Sequence, residues 1–149
     1  MQQALFLHRS FSLLALALAM LLGGAARAQE IRKAADWAGT WRGSYVCLQG
    51  TTGLTLTIRA KGDDSITATF SFHAVPSNPT VPSGSFVMKG QLGSDPTHLR
   101  LAAGAWRKRP PGYVTVDLEG DYNPKSGEYF GKVDFAGCSD FTVRRDLMS

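Results

Sequence analysis

The chain has 149 residues, 44% of them hydrophobic and 19% charged, with a formal net charge of +4. That length is enough to bury one core and calls for no second domain. Two of its 16 Lys and Arg, Arg9 and Arg27, fall in the first 28 residues and none of its 12 Asp and Glu does, so the remainder carries +2, too mild a charge to argue for nucleic acid as a partner.

Residues 1–28 read as a secretory signal peptide. His8 and Arg9 form a basic start, 11–22 is a largely apolar run, and Ala26-Arg27-Ala28 places small residues at the two positions a signal peptidase inspects. The run is shorter than the about 20 residues a helix needs to cross a bilayer, so no stable membrane anchor is expected and the product is expected to be periplasmic or secreted. Residues 29–39 form a polar, alanine-rich lead-in with room for one helical turn.

From residue 40 to 149 the hydrophobic pattern has period two, the mark of half-buried strands. Trp41, Gly43, Tyr45 and Cys47 share one face of a first strand; Leu54, Leu56 and Ile58 follow in a second, and Ile66, Ala68, Phe70 and Phe72 in a third. Lys61-Gly62-Asp63-Asp64 between them is hairpin chemistry. Pro76, Pro79 and Pro82 cannot donate ladder hydrogen bonds and make 74–84 an extended loop. Pairing resumes through Phe86 and Met88, then through Leu99 and Leu101, and is expected to break again over 106–112. Val114, Val116 and Leu118 share a face of the next strand, Tyr129, Gly131, Val133 and Phe135 lie along another, and Phe141 and Val143 mark the last.

This is an all-β domain of about eight short strands with no competing helical period. Short connections favour antiparallel neighbours, and a meander avoids exposed edges by closing on itself, so a small antiparallel β-barrel is expected, with a β-sandwich as the alternative. Closure would bring the first and last strands together, where Cys47 and Cys138 lie. Two cysteines in an exported chain pair with nothing left over, and a Cys47 to Cys138 disulfide is expected.

Catalytic and metal readings find little support. His73 and His98 lack ligand spacing, so no metal or other cofactor is expected. A triad of Ser71, His73 and Asp117 can be drawn, but no GxSxG elbow accompanies it. Asp117, Glu119 and Asp121 could be paired acids for glycoside chemistry, yet the same spacing describes an outward polar face. The chain is therefore read as non-catalytic.

The loops are richer. Trp106, Arg107, Lys108, Arg109 and Tyr113 cluster with Pro110, Pro111 and Gly112, and 75–85 is a second proline-stiffened loop carrying Ser83. Stiff loops with aromatic and cationic side chains lose little entropy on binding, which suits recognition of a protein or glycan of the cell envelope or of a host. The plain alternative has Trp106 plugging the barrel end while the cations keep it soluble. Inside, Trp41, Tyr45, Phe70, Phe72, Phe86, Phe130 and Phe135 supply rings enough to fill the interior; the alternative is a lipocalin-like carrier of one small apolar ligand.

The stretch from Trp41 through Tyr45, Cys47 and Gln49 to Gly50, with a late second cysteine, resembles the small periplasmic β-barrels that inhibit C-type lysozymes. That resemblance implies a lysozyme-inhibitor-like protein acting through Ser83 and Phe86. The nearest match to the family's SGxxY loop is Ser83-Gly84-Ser85-Phe86, which carries Phe and no Tyr. WxGxYxCxQG at 41–50, VPSG at 81–84 and PPGY at 110–113 also resemble a recurrent exported module of Gram-negative bacteria, a likeness that brings no activity with it.

Overall fold

The computed structural model describes residues 29–147. The expected signal peptide lies outside the described residues. After a single helical turn, α1 (Ala34–Trp37), eight strands follow: β1 (Gly39–Cys47), β2 (Gly50–Ala60), β3 (Ser65–His73), β4 (Gly84–Gln91), β5 (His98–Lys108), β6 (Asp117–Asn123), β7 (Glu128–Asp134) and β8 (Asp140–Arg145). Every strand pairs antiparallel with the next, and β8 returns to β1 to close the barrel.

Alternation decides which side chains go inside. Leu54, Leu56 and Ile58 of β2 face Ile66, Ala68, Phe70 and Phe72 of β3 across the interior side of the sheet, while intervening Thr and Ser side chains face outward. The closing seam pairs Trp41 with Arg145 and Tyr45 with Phe141, and beyond it the amide of Ser139 donates to the carbonyl of Val46 at 2.9 Å. A disulfide joins Cys47 and Cys138, 91 residues apart, at the end of this seam, and leaves no free cysteine among the described residues. Such a bridge marks chains that fold in an oxidising compartment.

The two ends of the barrel differ. At the end where the chain enters, α1 folds under the strands and Trp37 is fully buried against Trp41, Tyr122 and Tyr129, the nearest ring centroid being that of Tyr129 at 4.9 Å in an edge-to-face contact. Each polar edge in this cluster is satisfied: the indole of Trp37 donates to the carbonyl of Pro96 and that of Trp41 to the carbonyl of Trp37, both at 3.0 Å, and the hydroxyl of Tyr129 donates to the carbonyl of Leu99 at 2.9 Å. Arg145 lies over the Trp41 ring, 4.7 Å from its centroid, and donates to the carbonyls of Asp36 and Ala38. This end is closed by side chains.

Three expectations are corrected. The break expected over 106–112 begins later, because Trp106 pairs with Phe86 and Lys108 with Ser85 across two register shifts that hold extra β5 residues; Trp106, Arg107 and Lys108 are thus strand residues, and Pro110 and Pro111 end the pairing. Val114 and Val116 precede β6 and take no part in its ladder. Phe130 and Phe135, counted among the interior rings, are 42% and 45% exposed: Tyr129 and Val133 take the inward positions of β7, which turns Phe130 out, and Phe135 lies beyond the strand.

Candidate functional site

The opposite end of the barrel is open, and the strand pairing explains why. β5 pairs with β6 only from His98 to Leu101, whereas it continues with β4 as far as Lys108. Above Leu101 the two strands part. The amide of Ala103, deprived of a strand partner, donates instead to a carboxylate oxygen of Asp117 at 2.7 Å, while the other oxygen of that carboxylate accepts from Arg100 at 3.1 Å. Asp117 thus ends the ladder without leaving a buried amide unpaired. The segment 109–116 crosses the resulting gap.

Behind that gap lies a cavity of about 390 Å³. Its floor is aromatic: Phe70 and Phe86 stack at 4.6 Å, Tyr45 meets Phe70 edge-on at 5.2 Å, and Phe72 stacks on Tyr113 at 5.1 Å. Gly84 makes the last pair possible, since a Cβ there would lie 2.4 Å from the Phe72 ring and 2.8 Å from Pro110. The walls come from the turns at this end: Leu48 and Gln49 between β1 and β2, Tyr113, Val114 and Val116 before β6, and Phe135 and Ala136 between β7 and β8, with the disulfide between the first and last.

Three large apolar side chains stand at the rim in water. Leu48 is 85% exposed, Val114 50% and Phe135 45%. The polar groups of the lining are few, chiefly Tyr45, Gln49 and Tyr113. The Gln49 amide donates to the Tyr45 hydroxyl at 3.1 Å and to Thr52 at 3.2 Å, and burial, then the nearby Tyr113 phenol, hold the Tyr45 hydroxyl above the ordinary phenol range. Tyr45 therefore stays neutral at physiological pH, and the chamber offers an apolar, uncharged interior.

The residues singled out from the sequence are divided by the fold. Tyr113 and Phe86 line the cavity. Trp106 is half-buried beside it, its ring edge-on to Phe86 at 5.2 Å and to Phe72 at 6.2 Å. Arg107, Lys108 and Arg109 are exposed; the Arg109 side chain donates to the Tyr113 carbonyl at 3.2 Å and lies 5.8 Å from the Trp106 ring centroid. Ser83 is exposed at the end of the 74–83 loop while Phe86 is buried, so the two do not share a surface. That loop is fastened down by Asn78, whose amide donates to the carbonyls of Gln49 and Thr51 at 2.5 and 3.1 Å, and it contributes nothing to the cavity lining.

The acids read as a polar face are on the outside, in one ion-pair network. Arg100 reaches Asp117, Glu119 and Asp134 at 3.0 to 3.1 Å, and His98 lies 2.8 Å from Asp121 and 3.4 Å from Glu119. The Asp121 hydrogen bond raises the His98 pKa above its ordinary value, with a smaller push from Glu119. Ser71 and His73 lie on β3, Asp117 at the start of β6, and these strands are not neighbours in the barrel.

Leu48 and Ala136 were not singled out from the sequence, and Val114 and Phe135 were read there as a strand position and an interior ring, not as the border of an opening. An apolar residue inside a turn is the signal that could have found them, because turns ordinarily carry polar residues. Comparison with family models, with curated proteins and with solved structures returns no match, so the reading of this site rests on its own geometry.

Proposed function

We propose that this is an exported, non-catalytic binding protein that takes a small apolar molecule, or the apolar part of one, into the open end of its barrel. The observation that carries the reading is the cavity of about 390 Å³ floored by Tyr45, Phe70, Phe72 and Phe86, with Leu48, Val114 and Phe135 exposed around it. Pockets of about 300–1,000 Å³ with apolar walls and few polar groups are the usual form of a small-molecule site. Three exposed apolar side chains on stiff turns would each lose water on binding and little entropy. The signal peptide read at 1–28 and the single disulfide support export to the periplasm or beyond.

A macromolecular partner of the envelope or host is a second reading, favoured by the 85% exposure of Leu48, a large apolar side chain at the mouth. In that case the mouth would receive an apolar side chain of the partner.

A neutral fluorophore that brightens in apolar surroundings, N-phenyl-1-naphthylamine, tests the first reading. Ala136 is exposed and lines the cavity, so Ala136→Trp is expected to occlude the opening without disturbing the core. Saturable fluorescence with the native protein, weakened at least about tenfold in A136W at unchanged thermal midpoint, is the expected outcome. No saturable binding would remove the small-molecule reading.

A further inference from the structure

We infer that the ligand of the open end is an anionic single-chain amphiphile, its tail in the aromatic chamber and its acidic headgroup outside on Arg107, Lys108 and Arg109. The inference rests on the mouth being a binding site and adds the chemical class of what it binds.

The chamber itself cannot take a charge. The Gln49 amide is spent on Tyr45 and Thr52, the Thr52 hydroxyl donates to the carbonyl of Gly50, and apart from the Tyr113 phenol the remaining lining is mostly rings and aliphatic carbon. An ionised group drawn inside would lose its hydration for nothing, so any charge on the ligand has to stay at the rim.

Three exposed cations follow Trp106 in the chain, and the last of them, Arg109, reaches the rim at Tyr113. Arg107, Lys108 and Arg109 form no ion pair, as is true of several other cations among the described residues, but nowhere else do three cations follow one another in the chain. Arg109 is fixed next to the opening by its bond to the carbonyl of Tyr113, itself a wall residue, and by its place against Trp106. Unneutralised positive charge at the edge of an apolar hole complements a molecule that is apolar at one end and negative at the other. The size narrows the class further. A cavity of about 390 Å³ is at the small end of the range for small-molecule sites and suits one chain, not the two of a bilayer-forming lipid.

The experiment compares dodecanoate with dodecanol, which share a tail and differ in the charge of the head, as displacers of N-phenyl-1-naphthylamine. Native protein and the triple variant R107S/K108S/R109S are titrated at low and at high sodium chloride. The native protein is expected to release the probe at about tenfold lower dodecanoate than dodecanol, from the summed attraction of three exposed cations. That preference should shrink with salt and vanish in the triple variant, while R107S/K108S, which keeps the bond from Arg109 to the Tyr113 carbonyl, should lose part of it with a native response to dodecanol that certifies an intact chamber. Equal displacement by both compounds would overturn the anionic class while leaving the mouth as a binding site. A dodecanoate preference that survives in the triple variant would overturn the assignment to these three residues. Failure of the probe, or of both displacers, would overturn the binding site and this inference together.

Discussion

Trp37→Ala is expected to lower the unfolding free energy by about 3–5 kcal/mol, the usual cost of truncating a large buried ring. Trp37 is fully buried in a cluster of four aromatic rings, three of them its direct contacts, and edge-to-face pairs of this kind contribute about 0.5–1.5 kcal/mol each beyond the area they bury. Truncation would also strip the carbonyl of Pro96 of its indole donor. Domains of this size are stable by about 5–15 kcal/mol in total, so the variant should be marginal at room temperature. Trp37→Phe keeps most of the ring contacts and should lose well under half as much. Urea denaturation followed by circular dichroism measures both. A loss below about 1 kcal/mol for the alanine variant would mean that α1 does not close this end of the barrel.

The second large effect belongs to the disulfide. Constraining a loop of 91 residues removes chain entropy from the unfolded state worth about 4–5 kcal/mol on the loop-closure model, and C47S/C138S should lose a comparable amount. A local consequence is expected as well. Cys47 precedes Leu48, and Cys138 follows Phe135 and Ala136, so the bridge ties together two turns that form the wall of the cavity. The Leu48 side chain rests on Gly137, where an added Cβ would lie 2.7 Å from its Cγ and where φ is +84°. Reduced or doubly substituted protein should therefore bind the neutral probe more weakly than native protein even in conditions where both are folded. Retained stability within about 1 kcal/mol of native would contradict the first expectation, and unchanged probe affinity the second.

The barrel was legible in the sequence because a sheet with one buried face writes its geometry as alternation, and because its seam happens to end in the only two cysteines. Where alternation fails, so did the reading. Two bulges, one on either side of Trp106, put β5 out of step, and the cations that follow look like the start of a loop although Arg107 and Lys108 still belong to the strand. Tyr129 and Phe130 are adjacent rings of opposite parity; counting outward from Val133, which shares the inward face with Tyr129, would have placed Phe130 in solvent. Trp37 was invisible for another reason: it lies outside the strands, in an alanine-rich turn, and no local period says that such a turn folds back under the sheet. The interior rings were counted correctly as abundant, but the count does not say where they sit. Trp37, Trp41, Tyr122 and Tyr129 crowd one end, which leaves the end bounded by Phe70, Phe72 and Phe86 unfilled. That asymmetry follows from the parting of β5 and β6 above Leu101, a tertiary event that Asp117 completes and that its place among alternating acids did not reveal.

An apolar ligand that enters the barrel between the turns at the disulfide end must perturb the residues of that end and no others. Amide chemical shifts recorded during titration with N-phenyl-1-naphthylamine test it most directly. Saturable shifts confined to residues 45–49, 70–72, 86, 112–116 and 135–138 are expected, with the region around Trp37 and Tyr122 at the far end unmoved. Shifts that cluster at the Trp37 end or on the outer face of the sheet, or that stay linear with no saturation, would contradict it.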